Sequence, residues 1–539
     1  MRKILVLLFL LISVVTFGQG EIIKVGQKAL KRNAKILKAH YPWEYTEPAD
    51  WVNIHYCPKD EMLLLVNDSA ERYIAFYCEV ASSGQYSVDI YGGIRADSLI
   101  YTQTLSTTVK FYYQIPLGIG KSYGSNGYTQ YVVRVFPKLK TKKITNFSLR
   151  EHPSSTMAGV NILLANINMP SLLVVRFNSP TVTAIYMRYC NLYTCSNLTT
   201  LYYAFFGCTS LYTVTFSKQL DKVTTIVGAF PYCTSLHHVW LPKRMDKVIL
   251  AGYVTYGNYS CFANCTSLLY VVMPQSMKLV TDFSYVFYNC KKLKYLFMPK
   301  YAPAITTMRG LVEGCDSIKY VRLPMIVNNV VSMERCFSGC YVLEDEDIEM
   351  PISMKLVTNF SYLFHNCKKL KKISFLDTLN LLTTMDYCFK DAADVDTIIM
   401  PKSATKLVTL TNNTGMLELD SISTCTFGTG MANVQFTFRD LKTFKQPTLR
   451  VSKFICTGQS LSVKSSIHTI NIDWANSTYG GTSPQIDIRW NSLSATTIDA
   501  IFTALPVVTG KTINVAGNIG SATCTPAIAT AKGWTVTVS

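Results

Sequence analysis

The feature that most constrains this chain is a short motif that returns roughly every 25 residues through its middle. A Phe, two residues, a Cys, two residues and an aliphatic residue recur as FFGCTSL, FPYCTSL, FANCTSL, FYNCKKL, FSGCYVL and FHNCKKL. These place Cys208, Cys233, Cys265, Cys290, Cys340 and Cys367 at one equivalent position, and Cys315 joins them in VEGCDSI, where Val312 replaces Phe. Successive Cys lie 25, 32, 25, 25, 25 and 27 residues apart, and a last copy, FKDAADV, puts Ala392 another 25 residues on. Two stretches beginning at Ser276 and Ser353 are near duplicates at an offset of 77 residues, three repeats apart. A unit this short cannot bury its own apolar face, so the copies must stack and share one continuous core.

Within a copy, Leu293, Leu296 and Met298 are spaced as L-x-x-L-x-L, the pattern of a short strand with its aliphatic residues turned inward. The Phe and Cys just before this strand point into the stack, and KLVTDFSYVF supplies the return side of the coil. Over residues 144–440 the copies resemble the BspA-type leucine-rich repeats of bacterial surface proteins, and related repeat proteins encoded by phages of those bacteria. The resemblance implies a mainly β chain built around a leucine-rich-repeat solenoid. It also implies binding or adhesion, with no cofactor and no catalysis.

The outward positions of L-x-x-L-x-L form columns when the copies are stacked. One column holds His238, Tyr270, Tyr295 and Tyr320; a second holds Trp240, Val272, Phe297 and Arg322; Lys294, Lys319 and Lys371 lie beside them. Rings with neighbouring cations suit the faces of sugars, acidic glycans or a protein partner. The competing structural reading is that the rings only support the sheet as cross-strand pairs. His238, Trp240, Tyr270, Lys294, Tyr295, Phe297, Lys319, Tyr320 and Arg322 are the candidate ligand-binding residues.

Upstream, MRKILVLLFLLISVVTFGQG has the basic start, short apolar run and small-residue end of a signal peptide over residues 1–20. An uncleaved anchor is the second reading. Residues 21–42 predict a basic helix, with Leu30, Ala34 and Leu37 on one face, suited to a solvated linker or to an anionic membrane surface. From 43 to 143, alternating stretches such as SGQYSVDIYGG and GYTQYVVRVFP predict a small antiparallel β-sandwich ahead of the solenoid. The run from Tyr86 to Gly93, with Gly127-Tyr128 and Tyr131 to Val135, resembles a PKD-like immunoglobulin-fold domain, although Tyr91-Gly92-Gly93 stands where that family has Gly-Asp-Gly. Such domains usually act as spacers.

Residues 441–539 change repeat type. Asn491 and Asn518 are 27 residues apart and predict a ladder of amides bonded to turn carbonyls. A helix is expected from Ala495 to Leu505 with Ser494 as N-cap, and ATAKGWTVTVS is expected to close the stack as a final strand. This ending resembles the tails of phage-encoded repeat proteins.

The chain carries 17 Cys, an odd number, and a net charge of +18. Seven Cys fall on one repeat position, which favours a ladder of free thiols over disulfides, since identical side chains pointing one way do not meet disulfide geometry. Cys57 and Cys78 in the sandwich are the best disulfide candidates. The pairs Cys261/Cys265 and Cys336/Cys340 lack further ligands for zinc, and Glu344 to Glu349 reads as a solvated acidic bulge before a calcium site. The positive charge favours anionic partners, yet the Lys and Arg are scattered and no nucleic-acid module is present. No H-E-x-x-H, G-x-S-x-G or P-loop motif occurs, so no catalytic residue, metal or cofactor is expected. The sequence therefore predicts an exported, non-enzymatic protein that binds a cell-surface glycan or protein ligand. The alternatives are a phage fibre or receptor-binding protein of the virion, and a carbohydrate-binding arm of a hydrolase system.

Overall fold

The structure is a computed structural model. It describes residues 50–399 apart from 69–71, 94–95, 120, 124–127, 151–160, 179–182, 253–258, 326, 345–347, 376–378, 393 and 396. Beyond these it describes 409–410, 424–426, 433–437, 443–446, 453–457, 467–480 and 483–539. The expected signal segment and basic helix lie outside the described residues.

The first eight strands are β1 (Glu61–Asn67), β2 (Tyr73–Val80), β3 (Gln85–Gly92), β4 (Ser98–Ser106), β5 (Phe111–Gln114), β6 (Lys121–Tyr123), β7 (Tyr128–Pro137) and β8 (Ile144–Leu149). They form two sheets: β1, β7, β3 and β4 run antiparallel in one, with β6 on β7, and β8, β2 and β5 in the other. β8 falls at the start of the stretch read as repeats, yet its backbone completes the sandwich by pairing with β2.

The sandwich then grows into the solenoid. β9 (Ile162–Asn168) pairs antiparallel with β1 on one side and parallel with β11 (Tyr189–Leu192) on the other. β12 (Thr213–Phe216) follows β11 in parallel, while β10 (Val174–Arg176) adds in parallel to β8. Both sheets of the sandwich thus serve as the template for the first coils, and no open edge separates the two architectures at this junction. One buried core runs from Met62 to Trp534. A strap before β1 crosses this junction, with the Asn166 amide donating to the Ile54 and His55 carbonyls at 2.7 Å and the Asn168 amide to the Cys57 carbonyl at 2.8 Å.

Further coils contribute β13 (His238–Trp240), β14 (Tyr270–Val272), β15 (Tyr295–Phe297), β16 (Tyr320–Arg322) and β17 (Ile348–Glu349), all parallel. Inside, the motif Phe residues form a spine. Phe177, Phe205, Phe230, Phe262 and Phe287 stack with centroids 5.7, 5.2, 5.2 and 5.4 Å apart. Val312 interrupts the spine, which resumes through Phe337, Phe364 and Phe389.

The Cys ladder has a specific role. From Cys233 on, each thiol donates to the carbonyl of the motif Phe, or of Val312, one coil earlier: Cys233 to Phe205 at 3.0 Å, Cys265 to Phe230 at 3.1 Å, Cys290 to Phe262 at 3.1 Å, Cys315 to Phe287 at 3.0 Å, Cys340 to Val312 at 3.3 Å and Cys367 to Phe337 at 3.0 Å. Cys fits because it is a small buried apolar group that still carries a weak donor. The residue before each Cys turns the chain in the left-handed region, with φ between 58° and 74° at Gly207, Tyr232, Asn264, Asn289, Gly314, Gly339, Asn366 and at Asp391 before Ala392. Gly, Asn and Asp hold that conformation at least cost, and they fill this position in every copy except that of Tyr232.

Among the described residues, sixteen cysteines are free thiols. Cys57 and Cys78, the disulfide candidates, are among them: Cys57 sits in the strap and donates to the Glu61 carbonyl at 3.2 Å, whereas Cys78 lies in the other sheet opposite Phe147. Burial pushes the Cys367 thiol up to about 12 and raises those of Cys208, Cys233, Cys265, Cys290 and Cys340 as well, so little nucleophilic thiolate forms at neutral pH. Alkylation of the native protein with iodoacetamide, read by peptide mapping, is expected to mark the partly exposed Cys524 and to spare these six until denaturant is added. Rapid native-state modification of the ladder contradicts this.

At the C-terminal end the amide ladder forms. Asn491 donates to the carbonyls of Cys456 at 2.7 Å and Ile488 at 2.8 Å, and Asn518 donates to those of Ile488 and Val515, each at 2.8 Å. The helix spans Ala495–Ala504, and the Ser494 side chain accepts from the Thr497 amide as its N-cap. The strand Trp534–Thr537 pairs in parallel with Lys511–Asn514 as the last described rung.

Candidate functional site

The strand face of the coils is built by alternation. Val239, Val271, Leu296 and Val321 turn into the core, so the residues on either side of each turn outward. Parallel pairing without slippage puts them in rows: His238 faces Tyr270, Tyr295 and then Tyr320, while Trp240 faces Val272, Phe297 and Arg322. Glu349 extends the second row opposite Arg322.

The side chains along these rows touch. His238 stacks on Tyr270 at 5.7 Å, and the edge of Trp240 meets Tyr270 at 6.2 Å. Phe297 lies 5.2 Å from Tyr320, and the Arg322 guanidinium sits over the Phe297 ring at 5.2 Å. A cation held over a ring in this way contributes about 0.5–1 kcal/mol where it is exposed. Trp240 is 40% exposed, Lys294 and Lys319 are exposed, and Tyr270, Tyr295, Phe297 and Arg322 are half-buried. The result is a ring-lined strip edged by two cations.

Two candidates are placed differently from expectation. His238 is only 5% exposed and Tyr320 only 3%. His238 is covered by Tyr270 on one side and by Tyr212 on the other, whose ring meets it edge-on at 5.8 Å. Tyr320 is turned along the sheet, with its hydroxyl donating to the Glu349 carboxylate and its ring against Phe297. These two brace the strip and leave the contact surface to Trp240, Tyr270, Tyr295, Phe297, Lys294, Lys319 and Arg322. Lys371 is exposed but precedes a separate sheet that starts at Lys372–Ser374. Glu349 was missed as a partner because it follows a two-residue insertion in its copy.

Burial, and then the charge of neighbouring His237, hold the His238 imidazole down at about 4. The fold thus accommodates the neutral ring. Its folded value lies below the unfolded one, so this contribution is fully present above about pH 6.5 and is lost as pH falls towards 4. A urea series across that window is expected to show wild type losing stability that His238→Phe retains; parallel pH profiles for the two proteins contradict the assignment.

Among the described residues, no group of three or more His, Cys, Asp or Glu is placed to hold a metal. Cys261, Cys265, Cys336 and Cys340 are all core residues. Positions 345–347 of the acidic cluster lie outside the described residues, and Glu349 is engaged by Tyr320.

Fold and face together define a repeat protein of the leucine-rich solenoid class. Residues 187–294 and 284–414 match the BspA type leucine rich repeat region, in six copies. No curated protein matches the chain. Among solved structures the chain is similar to one titled "Crystal structure of TLR13-ssRNA13 complex", at 12% identity and a TM-score of 0.22, covering 69% of this chain and 58% of that one. It is also similar to "Plant peptide hormone receptor RGFR1 in complex with RGF2", at 12% identity and a TM-score of 0.15, covering 65% of this chain and 73% of that one. The chain thus spans under two thirds of the first of these.

Proposed function

We propose that this chain is an exported, non-enzymatic recognition protein that binds a cell-surface ligand, an acidic glycan in the first instance, across the strip on β13–β16. The observation that carries the reading is the register that lines up Trp240, Tyr295, Phe297 and Arg322 on adjacent coils with Lys294 and Lys319 beside them. Half-exposed rings offer flat apolar surface to sugar faces, and the cations offer partners for carboxylate or sulfate. The exposed Trp240 also favours a protein ligand as the second reading, because aromatic anchors dominate such interfaces. In this account the N-terminal sandwich, PKD-like in its strand motif, is the base that carries the repeats. Display on a virion instead of a cell would leave the same strip as the contact surface.

The test is a glycan array probed with wild type and with Tyr295→Ala/Phe297→Ala. Acidic glycans are expected among the wild-type ligands, with binding at least tenfold weaker in the double variant and weakened by added salt. Equal binding by the two proteins removes the strip from the account.

A further inference from the structure

A second set of rings lies away from the strands, on the turns that precede the Cys ladder. Phe206 stacks on Tyr259 at 5.7 Å and meets Tyr232 at 5.6 Å; Tyr203 touches Phe206 at 5.4 Å, Tyr259 at 6.0 Å and Tyr202 at 4.4 Å. Burial raises the Tyr232 phenol, followed by the nearby hydroxyls of Tyr259 and Tyr288. Tyr202 and Tyr259 are 42% and 37% exposed, and the rings between them are half-buried.

Packing alone does not account for these rings. The Phe spine already fills the inside of the same coils, so rings left partly in water outside it add little burial. The turn is also shaped around one of them: a Cβ at Gly228 would meet the Tyr203 ring at 2.9 Å, so Gly at this position leaves room for the ring to lie along the stack. Tyr259 comes from the one copy with a 32-residue Cys spacing, so the extra chain length delivers a ring to this cluster.

The surroundings select the ligand chemistry. The three copies that supply Tyr202, Tyr203, Phe206, Tyr232 and Tyr259 continue after the Cys with Thr209-Ser210, Thr234-Ser235 and Thr266-Ser267, whereas the copy at Cys290, which carries Tyr288, and the copy at Cys367 continue with Lys-Lys. Beside the rings along the chain, the Thr209 and Thr234 hydroxyls donate to the Ile185 and Thr209 carbonyls and keep lone pairs as neutral acceptors, while the Asn264 side-chain oxygen accepts from Asn289. That combination fits a chain of pyranoses with flat C–H faces and equatorial hydroxyls. Coils about 4.8 Å apart also place successive rings at a spacing comparable with one sugar unit. We infer that this cluster is a second binding site, distinct from the strand strip, for a neutral β-linked polysaccharide of the glucan or xylan type.

Calorimetric titration of the full chain with cellohexaose and with xylohexaose tests this. At least one is expected to bind, with an affinity that changes little between low and high salt. Tyr202→Ala/Tyr259→Ala, whose sites are the most exposed of the cluster, is expected to weaken that binding at least tenfold while keeping the thermal unfolding midpoint of wild type. Tyr295→Ala/Phe297→Ala is expected to bind the oligosaccharide as wild type does. Failure of wild type to bind either oligosaccharide, unchanged binding by Tyr202→Ala/Tyr259→Ala, or loss through Tyr295→Ala/Phe297→Ala overturns the proposal. Because the strip and the cluster are altered by different variants, the failure of one reading is distinguishable from the failure of the other.

Discussion

Phe262→Ala is expected to destabilise the protein by about 3–5 kcal/mol, the cost of truncating a fully buried ring to a cavity. Phe262 has no exposed surface and lies between two near-parallel rings, Phe230 at 5.2 Å and Phe287 at 5.4 Å. The loss combines the transfer of the ring out of the core with two ring contacts worth about 0.5–1.5 kcal/mol each. In a stack whose units touch only their neighbours, the damage stays local, and hydrogen exchange should rise in the coils on either side of Phe262. Phe287→Ala should cost less by roughly one ring contact, because the next coil offers Val312 in place of a ring. Urea denaturation of the two variants checks both the size and the order. A loss below about 1 kcal/mol for Phe262→Ala contradicts a core organised around the spine.

Gly533→Ala is expected to release the C-terminal cap. Gly533 has φ +83°, and a Cβ there would meet the Val508 carbonyl oxygen at 1.8 Å. That oxygen belongs to backbone, so no side-chain rotation relieves the clash. The left-handed conformation adds about 1–2 kcal/mol for a residue with a Cβ, and the overpacking typically a further 1–3 kcal/mol. The contacts at risk fasten the last described rung to the coil before it. Lys532 donates to the Thr503 carbonyl and, at 2.8 Å, to the Leu505 carbonyl at the end of the helix Ala495–Ala504. Trp534 donates to the Pro506 carbonyl at 2.9 Å and packs edge-on against Tyr479 at 4.8 Å. Limited proteolysis should trim the variant from its C-terminus under conditions that leave wild type intact; identical digestion patterns contradict the role given to this turn.

Much of the fold was legible because the repeat period is also the stacking period. Residues 25 apart, such as Tyr270, Tyr295 and Tyr320, become register partners in adjacent parallel strands, so the rows on the strand face follow from counting. The Phe spine, the thiol ladder, the Asn ladder and the Ser494 cap were likewise visible as residue types at fixed spacing. The left-handed turn before the ladder Cys was written in the sequence as Gly or Asn in every copy but that of Tyr232, but its meaning depends on backbone geometry.

Other features were not legible because they depend on distant partners. The burial of His238 is set by Tyr212, in another coil, and that of Tyr320 by Glu349, which arrives after an insertion. The merging of sandwich and solenoid depends on β1 pairing with β9 across about a hundred residues of chain, and no local pattern encodes that contact. The ring cluster at Tyr203, Phe206 and Tyr259 was hidden for a similar reason. Its members sit at different positions of their copies and converge only when the turns stack.

In the proposed function, ligand is held on the strand strip. Hydroxyl-radical footprinting of the full chain, with and without a saturating amount of the strongest glycan-array ligand, reads this residue by residue. Binding is predicted to protect Trp240, Tyr295 and Phe297 from oxidation while Tyr186 and Tyr193, exposed elsewhere on the surface, keep their reactivity. Unchanged oxidation of Trp240, Tyr295 and Phe297 in the bound state would contradict the claim.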